Sequence, residues 1–278
     1  MKKLIFVLLL ATPLLAQVTV TQVNDRRTSG KFFAHLTLSL ELAKVKSADV
    51  AASRVLVTTA TDNAGNSLID AEAQAPSLEP NSRMSDAEPT TPATVSLELK
   101  NPERKATSLK EVRGDIELYM PSKDPNSVAD VAKFLSFSGK TLTHKALKAN
   151  GVEIALISPA QIDAEKKRIG DVKRKEAKDA GYDDADIESV VKSYLESTLN
   201  LDEGEVLVRI KDPNKRIQSL NFVAGTEAKH VSMSEEEGFV KLSSWGDKPQ
   251  PDWGLRVSMT TPKNLVKQPF TLKDVPLP

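Results

Sequence analysis

Residues 32–42 read FFAHLTLSLEL. Phe32, Ala34, Leu36, Leu38, Leu40 and Leu42 fall on one side of an extended chain, and Phe33, His35, Thr37, Ser39 and Glu41 on the other. A period of two held over this length dictates a strand with one face in a core, because a helix would scatter the leucines around its circumference. The same alternation recurs in QVTVTQV (17–23), RVLVTTA (54–60), TVSLELK (94–100), GDIELYM (114–120) and GVEIALI (151–157). After Gly204 it returns in EVLVRI, RIQSLNFV, KHVSM, GFVKLSS and GLRVSMT, separated by short turn-forming segments. The closing FTLKDVPLP reads as a last strand whose prolines confine it to an edge. Residues 128–137 fit either a short helix or an irregular edge.

One stretch breaks this pattern. Residues 159–200 are rich in Ala, Lys and Glu, with Pro159 suited to a first helical turn and Gly181 to a stop. Ile187, Val190, Val191, Tyr194, Leu195 and Leu199 recur at helical spacing after an Asp183 or Asp184 cap. The expectation is a pair of antiparallel helices, the second docked on a sheet and the first standing farther out. Residues 71–93 hold four prolines and no period, which predicts an exposed loop.

The fold class expected is mainly β, with two immunoglobulin-like β-sandwich lobes at 17–158 and 201–278 and an inserted α-helical hairpin at 159–200. The chain has no cysteine, so no disulfide or thiolate zinc site supports it. Its core must come from aliphatic burial, since aromatics are only 5 % of residues.

The first residues, MKKLIFVLLLATPLLAQ, place two lysines before a short apolar run and a small residue at Ala16. That is the pattern of a cleaved secretory signal over 1–16, and the run is shorter than the ~20 residues of a membrane span. The expected localisation is export to a bacterial periplasm or beyond, with no membrane span after signal removal. Without Lys2 and Lys3 the chain carries 36 basic against 38 acidic residues, which gives no field for nucleic acid.

The motifs point away from catalysis. His35, His144 and His230 lack metal-ligand spacing, so no metal and no cofactor are expected. TDNAGN (61–66) groups oxygen ligands but lacks the alternating acids of a calcium loop, and reads as a turn. FLSFSGKT (134–141) has Phe134 where a phosphate loop needs its first glycine. SVVK (189–192) matches Ser-x-x-Lys but has no partner motifs and lies inside the amphipathic helix. No residue is assigned a catalytic role.

What remains is a contact surface. SSWGDKPQPDW (243–253) holds both tryptophans. Trp253 shares a face with Leu255, Val257 and Met259 and reads as structural, whereas Trp245 does not share the face of Val240 and Leu242. Ligand or partner contacts are assigned to Trp245, Lys248, Trp253, Arg168 and Arg174. The expected function is non-enzymatic binding of another envelope or extracellular protein, with the charged first helix as the surface (Lys166, Lys167, Arg168, Lys173, Arg174, Lys175). The alternatives are a carbohydrate-binding module with Trp245 as platform, and a hydrolase with an acid pair that sequence does not reveal.

Overall fold

The computed structural model describes residues 18–27, 34–70, 76–80, 92–236, 238–244 and 247–278. The expected signal segment lies outside them, as does most of the 71–93 loop. The chain is mainly β, built from several antiparallel sheets. It first lays down β1 (Val18–Arg26), β2 (His35–Lys46), β3 (Ala52–Asp62), β4 (Glu79–Pro80), β5 (Pro92–Leu99) and β6 (Ser108–Tyr119). Then come β7 (Val128–Val131), α1 (Lys145–Asn150), β8 (Glu153–Leu156), α2 (Pro159–Asp179) and α3 (Asp184–Leu199). They are followed by β9 (Val206–Lys211), β10 (Ile217–Ala224), β11 (Glu227–His230), β12 (Ser232–Glu236), β13 (Phe239–Ser243), β14 (Gly254–Met259) and β15 (Leu265–Pro276).

These elements divide into two compact units, one of residues 1–122 with 262–278 and one of residues 123–261. The division differs from the sequence boundaries at 158/159 and 200/201, and strand pairing is the reason. β7 and β8 pair with β14 and β9 of the second unit, while β15 leaves the C-terminal strands and pairs along the length of β6.

The first unit places a sheet ordered β1-β2-β5 and a sheet ordered β15-β6-β3-β4 around one core. The leucines of β2 face that core with no exposed area, and register sets Leu36, Leu38, Leu40 and Leu42 opposite Leu99, Leu97, Val95 and Ala93. Each such pair joins two apolar side chains on the buried face of a pleat. Ile116 and Leu118 of β6, Val55 of β3 and Phe270 of β15 close the core from the other sheet. β15 is an edge strand, as its prolines require.

The outer face of the second sheet carries a cross-strand charge row. Arg54, Glu117 and Lys267 are register neighbours on β3, β6 and β15. The Glu117 carboxylate is 2.6 Å from Arg54 Nη2 and 2.9 Å from Lys267 Nζ, and its side chain is only 3 % exposed. Burial pushes its pKa up, but the hydrogen bonds from Lys267 and Arg54 outweigh burial and the net direction is down. The folded carboxyl therefore holds its proton less tightly than the unfolded one. The row stabilises the unit above the ordinary carboxylate pKa, and that contribution is lost as pH falls through the folded value. Glu117→Gln should cost about 2 kcal/mol at pH 7, because it takes two charge-assisted hydrogen bonds from a buried acceptor. Denaturant midpoints of the two proteins should converge as pH falls below 4; a gap that persists at acid pH would contradict this assignment.

The second unit has sheets ordered β11-β10-β14-β7 and β12-β13-β9-β8 around a second core. Phe134 stacks on Phe222 with ring centroids 5.3 Å apart, and Leu220, Leu255, Val257, Leu242 and Ile154 surround them. Residues 128–137 resolve as strand β7 followed by a 3-10 turn at Phe134–Phe137. The segment KHVSM is not one strand. The chain changes sheets at Val231, which is 3 % exposed, so β11 pairs with β10 and β12 with β13.

Candidate functional site

In the β12-β13-β9-β8 sheet the central strands β13 and β9 bury side chains on both faces. Val240 and Leu242 of β13 and Val208 of β9 point to the core, while Phe239 and Leu207 point the other way. α2 and α3 cover that second face. Ile162 and Ile169 of α2 and Leu199 of α3 pack on Leu207 and Phe239. Thus α2 docks on the sheet as well, contrary to the expectation that it stands farther out. Its two isoleucines are one heptad apart, which is enough to hold one face against the sheet.

Local sequence fixes the helix ends. Ser158 and Gln161 form a reciprocal capping box across Pro159, the first helical residue. Asp183 accepts a hydrogen bond from the Asp186 N–H at 2.9 Å and starts α3. Between them Gly181 takes φ +85°, a conformation that favours glycine. At the far end, Lys241 of β13 donates from Nζ to the Ser197 and Asn200 carbonyl oxygens at 2.8 Å each. That places a cation on the last turn of α3, where free carbonyls and the negative helix end favour it.

The two helices run antiparallel, as the contacts of Ala177 with Ile187 and of Gly170 with Leu195 require. Between them lies a groove of about 410 Å³. Val191 and Leu195 form its floor, and Lys166, Arg174, Glu188, Lys192, Glu196 and Asn200 line it. Gly170 faces α3, since a Cβ there would reach van der Waals contact with Leu195 Cδ1 at 3.4 Å. Arg174 closes the groove with a two-pronged pair to Glu188, Nε to Oε1 at 2.7 Å and Nη2 to Oε2 at 3.2 Å, and donates from Nη1 to Asp171 at 3.2 Å. The Glu188 hydrogen bond raises the Arg174 pKa, and the Arg174 hydrogen bond lowers that of Glu188. This arrangement has an apolar base and, at one end, a charge pair held in place by two hydrogen bonds.

The sequence-predicted contacts fall in separate places. Arg174 lines the groove. Arg168 is exposed on α2 and bonds Glu165 at 2.7 Å, outside the groove lining. Trp253 is half-buried just before β14, with its ring centroid 6.3 Å from that of Phe222, and packs on the second core. Lys229 Nζ lies 5.9 Å from the same ring and bonds Asp247 and Glu227. Lys248 is exposed and 3.3 Å from Glu203. Trp245 lies outside the described residues.

Sequence reading missed the α3 side of the groove. Glu188, Lys192 and Glu196 repeat every four residues along one side of the helix, a spacing visible in the sequence. That Val191 and Leu195 open between the helices follows only from how the pair packs.

The remaining candidates lie apart from one another in the described residues. His35 sits on β2, His144 accepts from the Ala146 N–H as the cap of α1, and His230 ends β11. Asp62 is fully buried and accepts from the Ala64 and Asn66 backbone N–H groups and the Asn66 side chain, all at 2.9 Å, which folds the 62–66 turn. Phe134 is a core residue, and Gly139 donates to the Leu156 carbonyl. Ser189 is exposed on α3. No group of three or more His, Cys, Asp or Glu converges among the described residues, and none of their helices is long and apolar enough to cross a membrane. Comparison with protein-family models, curated proteins and solved structures finds no match.

Proposed function

We propose that this chain is an exported, non-enzymatic protein that binds another protein through the α2–α3 groove. The observation that carries the reading is the groove itself, an apolar floor bordered by charged side chains of which Arg174 and Glu188 are held together in a two-pronged pair. Such a surface offers burial at its centre and polar contacts at its rim, the anatomy of a recognition site. The signal-like first residues support export, to a bacterial periplasm or beyond.

We read each unit as immunoglobulin-like and the helix pair as an insertion. Two sheets around one core in each unit support the first point. For the second, β8 and β9 are antiparallel neighbours, which a short turn could join, yet both helices lie between them in the chain.

A photo-crosslinking residue at position 192, on the groove wall, tests the reading in the native host. The control position is Lys273, exposed on β15. The expected result is a discrete protein adduct from position 192 only. No adduct, or the same adduct from both positions, would overturn it.

A further inference from the structure

We infer that the occupant of the groove is a second copy of this chain, its helix pair laid face to face on the first with α2 over the other copy's α3. This rests on reading the groove as a protein-binding site and goes further by naming the partner.

The first argument is the sign of the charges. α2 carries seven Lys or Arg against five Asp or Glu, whereas α3 with its cap carries one lysine against five acids. The hairpin is therefore polar across its width, positive on one helix and negative on the other. A two-fold axis running along the hairpin sets each α2 over the other copy's α3 and makes this asymmetry self-complementary.

The second argument is height along the helices. Lys167 is twelve residues from the last residue of α2, and Glu196 is twelve from the first residue of α3. At 1.5 Å per residue both stand about 18 Å from the tip. Lys178 and Asp184 both stand at the tip. Lys167, Arg174 and Lys178 share one side of α2, at spacings of seven and four. Of these Arg174 lines the groove, whose other α2 residue is Lys166, and Lys167 and Lys178 continue the Arg174 side of the helix outside the lining. Lys167, Lys178 and Asp184 have no ion-pair partner among the described residues, and Glu196 has only Lys192 at 4.0 Å. Two-fold pairing brings Lys167 to the other copy's Glu196 and Lys178 to its Asp184.

The third argument is apolar surface. Leu195 is half-buried on the groove floor, beside a Val191 that is already buried, and Tyr182 at the tip is 53 % exposed. The two-fold arrangement sets tip against tip, so the two Tyr182 side chains cover one another. The face of a 21-residue helix beside a second helix about 10 Å away measures roughly 600 Å². A standard interface buries about 800 Å² on each side, so this face is somewhat below the standard size and the expected dimer is a reversible one.

Sedimentation equilibrium of the exported chain across micromolar to millimolar concentration tests this, with helix content checked by circular dichroism. The wild type should show a monomer–dimer equilibrium that weakens with salt. Tyr182→Ser and Lys167→Glu should each raise the dissociation constant about tenfold, and Lys167→Glu with Glu196→Lys should restore it. A monomer throughout the range overturns the dimer, as does a dimer indifferent to all three variants. If the chain is monomeric but position 192 still crosslinks a different protein, the binding reading survives and only the second-copy assignment falls.

Discussion

Gly114→Ala unfolds the first unit more readily than any surface change should. Gly114 lies on β6 opposite Val57, next to a bulge in β3 at Thr58. Thr58 donates from Oγ1 to the Arg113 carbonyl at 3.1 Å, which holds the bulge against β6. The bulge carries the Leu56 peptide onto Gly114. A Cβ there would overlap the Leu56 carbonyl oxygen and stand 3.0 Å from the Leu56 carbonyl carbon and from Val57 Cα. Both are backbone atoms in the middle of a paired strand, so no side-chain rotation relieves the overlap. The expected cost is about 3 kcal/mol, the upper range for forcing a group into packed structure. Urea unfolding followed on both proteins checks it, and an unchanged midpoint would show that the bulge gives way freely.

Phe222→Ala should be at least as damaging in the second unit. Phe222 has no exposed area, stacks on Phe134 and meets Trp253 at a tilt of 49°. Truncation removes the central ring of a small aromatic cluster in a mostly aliphatic core, and leaves Phe134 and Trp253 without their shared partner. Core Phe→Ala changes typically cost about 3–5 kcal/mol. Tryptophan fluorescence should shift to the red, since Trp253 loses a ring that screens it from water. Phe222→Leu should recover much of the loss, because it refills most of the volume. Equal destabilisation by Ala and Leu would mean that aromatic geometry, not volume, is what the site needs.

The same particulars show what the sequence made legible. β5 and β2 as far as Leu42 were plain because every second residue is a core residue, and the register shifts only beyond Leu42. The start of β6 was not, because its core residues Leu109 and Val112 are three apart. Register shifts opposite them on β3, and β15 skips Asp274, which has φ +51°. The missing period hid strand residues in what read as a connection. β15 was legible only at its end, since Pro269 breaks the propensity of its first half while register continues through it. That β15 returns to the first unit could not be read at all, because strand pairing over long separations leaves no local trace. At the groove, Arg174 was named from its charge and exposure. Glu188 and the Val191–Leu195 floor depend on the helix crossing, which periodicity alone does not reveal. The isoleucines that dock α2 were likewise too sparse to suggest that it touches the sheet.

The central structural claim is that the chain closes its first sandwich-like unit with its own last strand. Residue-resolved hydrogen exchange on Gly114→Ala tests this most directly. The account predicts that amides of residues 265–276 lose protection together with those of β6. Protection that persists in 265–276 while β6 exchanges freely would contradict it.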